Sequence, residues 1–109
     1  MNWIPLNKLN QLEEIVAKSH TSPCIIFKHS TRCGVSSFAL REFEKEINVN
    51  PTEVNLYLLD LLRYRNISNQ IAVLFEVEHQ SPQLLYIANG VCSYHASHSS
   101  IDAKIIASL

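Results

Sequence analysis

The chain has 109 residues, 47% of them hydrophobic and 17% charged, a size and composition that suit one packed domain over residues 1–109 and exclude a disordered chain. Nine Lys and Arg against ten Asp and Glu leave a net charge of -1, so no basic stripe invites nucleic acid. No apolar run approaches the roughly 20 residues of a membrane span. Residues 1–5 carry neither the basic region nor the apolar stretch of a secretory signal, so the cytoplasm is the expected compartment. Three cysteines cannot close into a paired framework, and free thiols are expected there. With two glycines, a glycine-rich phosphate loop is ruled out.

Residues 6–18 read as an amphipathic helix. Leu9, Leu12, Ile15 and Val16 recur on one stripe, Glu13, Glu14 and Lys18 lie on other faces, and Asn7 is the expected N-cap. After the turn cluster 19–23, residues 24–29 (Cys-Ile-Ile-Phe-Lys-His) form a short apolar run bounded by breakers, as in a strand paired on both sides. Residues 30–34 are a loop. Residues 35–47 read as a helix with Phe38, Ala39, Phe43 and Ile47 inward, and 48–52 break it. Residues 54–60 are a second buried strand, and about 66–75 a third helix carrying Ile67, Ile71, Leu74 and Phe75.

A loop, 77–82, ends in Pro82. The third strand covers 83–88. Asn89-Gly90 is a strong hairpin signal, since both central positions of a type I′ turn need positive φ. The returning strand is 91–96, and 101–109 a closing helix with N-cap candidates at 97–100. The order α-β-α-β-α-β-β-α gives one right-handed parallel crossover plus an antiparallel hairpin. The expected fold is α/β, a four-stranded mixed sheet with helices on both faces.

Cys33 stands out by position. It follows a buried strand and precedes a helix, where free backbone N–H groups and the helix dipole favour a thiolate. Gly34 lets another molecule approach the sulfur, and Arg32 adds positive charge. The alternative is a small buried cysteine with no chemistry.

These residues resemble the thioredoxin-like (glutaredoxin-like) superfamily. Cys33-Gly34-Val35-Ser36 after a strand looks like a Cys-x-x-Ser redox motif, and Ser81-Pro82 before the third strand looks like that family's cis-proline. More narrowly, Phe27-Lys28-His29-Ser30-Thr31-Arg32-Cys33, Glu76-Val77-Glu78-His79-Gln80-Ser81-Pro82-Gln83 and Tyr94-His95-Ala96-Ser97-His98 are similar to the monothiol bacilliredoxins, also described as general stress proteins. The resemblance covers nearly the whole chain, with an extra N-terminal helix. Gly34-Val35 departs from it by standing where Pro-Ile is expected.

The resemblance implies a monothiol thiol–disulfide oxidoreductase. Cys33 would remove a low-molecular-weight thiol, bacillithiol by resemblance, from S-thiolated client proteins. That thiol is a co-substrate, and no other cofactor is implied. Pro82 would shape the groove, and the Ser81 backbone would pair with the bound partner as an added strand. Ser36 in place of a second thiol cannot resolve a mixed disulfide, so an external thiol must. Its hydroxyl either bonds the Cys33 thiolate or satisfies local backbone.

Cys24 and Cys92 fall roughly 15 Å from the thiol end of the sheet by strand rise, too far to bridge Cys33. Pairing Ala88 with Val91 sets Cys92 opposite Ile87. His29, His79 and His98 map to the edge near Cys33, where one could orient a substrate or protonate a leaving thiolate; His95 lies just below. No two candidate ligands show structural-zinc spacing, so no metal is expected. Lys28 is expected to snorkel at the helix layer or add to the positive field. Trp3, Phe27, Phe38, Phe43 and Phe75 read as core. A monomer or weak dimer is expected. A non-enzymatic stress adaptor or binding module on the same fold is the alternative. An arsenate-reductase-like or peroxidase-like role lacks an Arg- or Gly-rich anion loop.

Overall fold

The computed structural model describes residues 2–47 and 53–109; the expected break at 48–52 lies outside them. The elements run β1 (Ile4–Pro5), α1 (Gln11–Lys18), β2 (Cys24–His29), α2 (Gly34–Glu46), β3 (Asn55–Asp60), α3 (Arg65–Leu74), β4 (Gln83–Ala88) and β5 (Val91–Ser97), then a 3-10 turn (His98–Ser100) and α4 (Ala103–Ile106). The strands form one mixed sheet in the order β1-β3-β2-β4-β5. β1, β3 and β2 are parallel, and β2–β4 and β4–β5 are antiparallel.

The sheet has five strands where four were expected. Ile4 and Pro5 pair with Tyr57 and Leu58, and the Leu6 N–H continues the ladder to the Leu58 carbonyl at 2.9 Å. Two residues are too few to show a period, and Pro5, which has no N–H to donate, is tolerated in an edge strand. The first helix starts later for the same reason. Leu6 is 1% exposed, in the core just past β1. The N-cap of α1 is Asn10, without a side-chain bond. Gln11 organises the entry instead: its Oε1 accepts from the Asn7 and Lys8 N–H groups, and its Nε2 donates to the Pro5 carbonyl.

Alternation along the strands sends successive side chains to opposite faces. Cys24 and Ile26 of β2 join Tyr57, Leu59, Leu85 and Ile87 beneath α1 and α3, which contribute Leu12, Ile15, Ile67 and Ile71. Ile25 and Phe27 join Leu56, Leu84 and Tyr86 on the other face, under α2 and α4, with Phe43, Ala103 and Ile106. Each fully buried aliphatic or aromatic side chain contributes roughly 1.5–3 kcal/mol. Trp3 is half-buried and packs against Phe27 and Phe43, with ring centroids 6.1 and 5.9 Å apart.

Asn89 and Gly90 both have positive φ, 53° and 81°, as their hairpin needs. Ile87 faces Cys92, the register expected from the sequence. Phe38 is a correction: it is 59% exposed. Phe43 faces the sheet, and five positions along a helix turn a side chain about 140° away from it. Lys28 is a second correction, being 0% exposed and not snorkelled. The closing helix is also shorter than expected. Ile101 and Asp102 are not helical, and Asp102 caps α4 by accepting the Lys104 N–H at 3.0 Å.

Candidate functional site

The parallel strands β2 and β3 end at one edge of the sheet, and β4, antiparallel to β2, begins there. Lys28 pairs with Gln83 in register, so the loop after β2 and the segment before β4 meet at that edge.

Cys33 is the N-cap residue of α2. Its N–H donates to the Ser30 carbonyl at 3.2 Å, and its carbonyl accepts the Ser37 N–H at 3.0 Å. The thiol is partly exposed, while Arg32, Gly34 and Val35 beside it are exposed. A methyl group added at Gly34 would meet nothing within 4 Å, so the first residue of α2 is uncrowded.

Ser36 is fully buried. Its Oγ accepts the Ser30 N–H at 3.0 Å and lies 2.7 Å from His29 Nδ1. Of the two sequence readings, the geometry is that of the serine that satisfies local structure. Its bonds close the 29–33 loop and turn it toward the helix. His29 shares the Phe27 side of β2, facing α2. Burial pushes its pKa below the ordinary 6.5, against the opposing pull of Asp60 and Glu44. With Nδ1 unprotonated, His29 accepts a hydrogen bond from the Ser36 hydroxyl.

Ser81–Pro82 is a cis peptide. Pro82 is buried and Ser81 partly so, and the Pro82 carbonyl accepts the His98 N–H at 3.1 Å. His98, with φ 53°, lines a groove of about 480 Å3 with Val35, Phe38 and Glu42 of α2. Arg32 lies in another groove, about 460 Å3, with Asp60 and Arg63. His79 turns away from the sulfur, into a polar cluster with Lys28 and Ser68. Burial, then Lys28 and Arg65, lower its pKa. Arg32, Cys33 and Gly34 follow β2, and Ser81 and Pro82 precede β4 at the same sheet edge. There His98 links Pro82 to the groove lined by Val35, and His29 is bonded to Ser36 on the α2 side. His79 lies on the opposite face of β2.

Sequence reasoning missed Gln83 and Ser68, both buried, and the role of Lys28. Parity was the available signal: Lys28 shares the inward side of β2 with Cys24 and Ile26. Among the described residues no group of three or more His, Cys, Asp or Glu is disposed to hold a metal ion, and no helix is long and apolar enough to cross a membrane.

Cys24 and Cys92 both lie opposite Ile87, one on each side of β4, at the far end of the sheet. Burial raises the pKa of both thiols. All three cysteines are free.

The family model described as monothiol bacilliredoxin BrxC matches residues 4–106. Among solved structures, the chain is similar to a protein described as a candidate oxidoreductase with a thioredoxin fold. The two are 28% identical, with a TM-score of 0.81, over 96% of this chain and 90% of that one. The thioredoxin of Malassezia sympodialis is 18% identical, with a TM-score of 0.71 over 98% and 86% of the two chains. That of Fasciola hepatica is 16% identical, with a TM-score of 0.67 over 95% and 92%. The fold is the thioredoxin fold.

Proposed function

The chain belongs to the monothiol bacilliredoxin family, and from that premise we propose that Cys33 removes a small thiol from mixed disulfides on client proteins. Family and fold support a thiol–disulfide oxidoreductase role. The observation that carries the finer reading is the isolation of Cys33. It is a partly exposed thiol at the start of α2, with the other two cysteines at the opposite end of the sheet.

The reaction is two exchanges. The Cys33 thiolate attacks the small-thiol sulfur of a client–S–S–R disulfide. The S–S bond breaks, the client leaves as a thiolate that takes a proton from water, and Cys33 carries the R group as a mixed disulfide. A second RS⁻ then attacks the R-group sulfur, forming RSSR and restoring the Cys33 thiolate. Ser36 cannot replace that external thiol. Free N–H groups of the first turn of α2 stabilise negative charge on the sulfur. The backbone of Ser81 offers the partner an edge for strand-like pairing. The family name points to bacillithiol as RSH, and S-thiolated proteins are the clients.

The test is turnover of a bacillithiol-modified protein with free bacillithiol in excess. Wild type releases the small thiol catalytically. Cys33→Ser, folded by circular dichroism, does not. Equal turnover by the two would end this reading.

A further inference from the structure

Lys28 is the one fully buried charged side chain among the described residues. It points into the aliphatic layer under α1 and α3, and no carboxylate among the described residues pairs with it. An ammonium in such a place costs stability unless its protons are well used. They are used on one segment. Nζ hydrogen-bonds to His79 Nδ1 and donates to Gln83 Oε1 at 3.1 Å. Gln83 extends the contact: its Oε1 also accepts the Gln80 N–H at 3.4 Å, and its Nε2 donates to the Glu78 carbonyl at 3.0 Å. Ser68 of α3 lies 3.3 Å from His79 Nδ1. Strand β2, helix α3 and the segment 78–83 therefore share one buried polar hub.

This hub sits on the face of β2 opposite His29 and Ser36, so it does not touch the thiol loop. It fixes the stretch that carries Ser81 and Pro82. We propose that Lys28 is a positioning residue for partner binding: through Gln83 and His79 it holds the 78–82 loop in the shape that receives the client's backbone. The proposal rests on the reading that this loop is where the partner pairs.

An apolar residue at this position would leave Gln83 Oε1 and His79 Nδ1 with weaker partners and the loop free to shift. It would leave the start of α2 as it is. Lys28→Met therefore raises the KM for an S-thiolated protein by about tenfold with kcat nearly unchanged, as for a lost binding interaction. The rate of Cys33 alkylation by iodoacetamide stays at the wild-type value. Amide hydrogen exchange at Gln80 accelerates. His79→Ala shifts the same readouts in the same direction. His79→Asn, whose Oδ1 offers an acceptor near the place of Nδ1, restores them; this pair carries the test should Lys28→Met fail to fold.

Unchanged KM and unchanged Gln80 exchange in the folded variants overturn the proposal. A fall in Cys33 alkylation matching the loss of activity also overturns it, since Lys28 would then act on the thiol. Absence of wild-type turnover would remove the de-thiolation reading alone, and with it the KM arm. The Gln80 exchange rates would still decide whether Lys28 holds the loop.

Discussion

Cys24 opens the strand that leads to Cys33, and the two ends of that strand give the same side chain opposite surroundings. At the far end, Cys24 and Cys92 flank Ile87. The hairpin beyond them is tied down by Ser19, whose carbonyl and Oγ accept the Asn89 and Gly90 N–H groups. Burial there raises both thiol pKa values and keeps the nucleophilic form scarce. At the near end, the chain leaves the sheet, and Cys33 is partly exposed at a helix start. Position in the fold, not residue type, separates Cys24, buried in the sheet, from Cys33, partly exposed at a helix start.

The two ends should also fail at opposite extremes of pH. His29 and His79, near the thiol edge, have lowered pKa values, chiefly through burial. The unfolded chain binds their protons more readily, so stability falls as pH drops below 6.5. Cys24 and Cys92 have raised values, again through burial. The unfolded chain gives up those protons first, so their contribution is lost as pH rises past 9.0, the ordinary value.

Lys28 gives the largest pH effect. Burial lowers its pKa from 10.5 to about 8. The fold carries the full penalty of the buried charge below pH 8 and is relieved of it between 8 and 10.5. The shift corresponds to roughly 3 kcal/mol. In urea titrations across that range, wild type gains on Lys28→Met by an amount of that order. A constant gap between the two would show that Lys28 does not titrate as its burial dictates.

Ser36→Ala probes the near end alone. It strips the Ser30 N–H and His29 Nδ1 of their partner and should cost about 1–3 kcal/mol. Denaturant unfolding measures it, and a variant as stable as wild type would remove Ser36 as the closure of the loop. The smallest effect belongs to Gly34, where an added methyl meets nothing. Gly34→Ala in the first turn of α2 should stabilise by about 0.4–1 kcal/mol, because the unfolded chain has less freedom to lose. A drop in melting temperature would mean that the space beside Gly34 is not free to take the methyl group.

Much of this architecture was legible in the residues. The apolar run 24–29, the Asn89-Gly90 turn and the helix after Cys33 each carry their own local signal, and the Ile87–Cys92 register follows from the turn. What was illegible depends on distant partners. Ile4 and Pro5 become a strand only because β3 offers an edge. Phe38 reads as core by type but is turned outward by the helix angle set at Phe43. Lys28 reads as a snorkelling side chain until Gln83 and His79, far along the chain, supply its acceptors. Ser36 was found by motif, but its bonding to His29 and Ser30 needs the loop to be folded.

The most direct test of the contrast between the two ends is peptide-mapped mass spectrometry of the native protein after brief exposure to a bacillithiol disulfide. The account predicts a single adduct on Cys33, with Cys24 and Cys92 modified only after denaturation. Adducts on the native protein distributed over all three cysteines, or absent from Cys33, would contradict it.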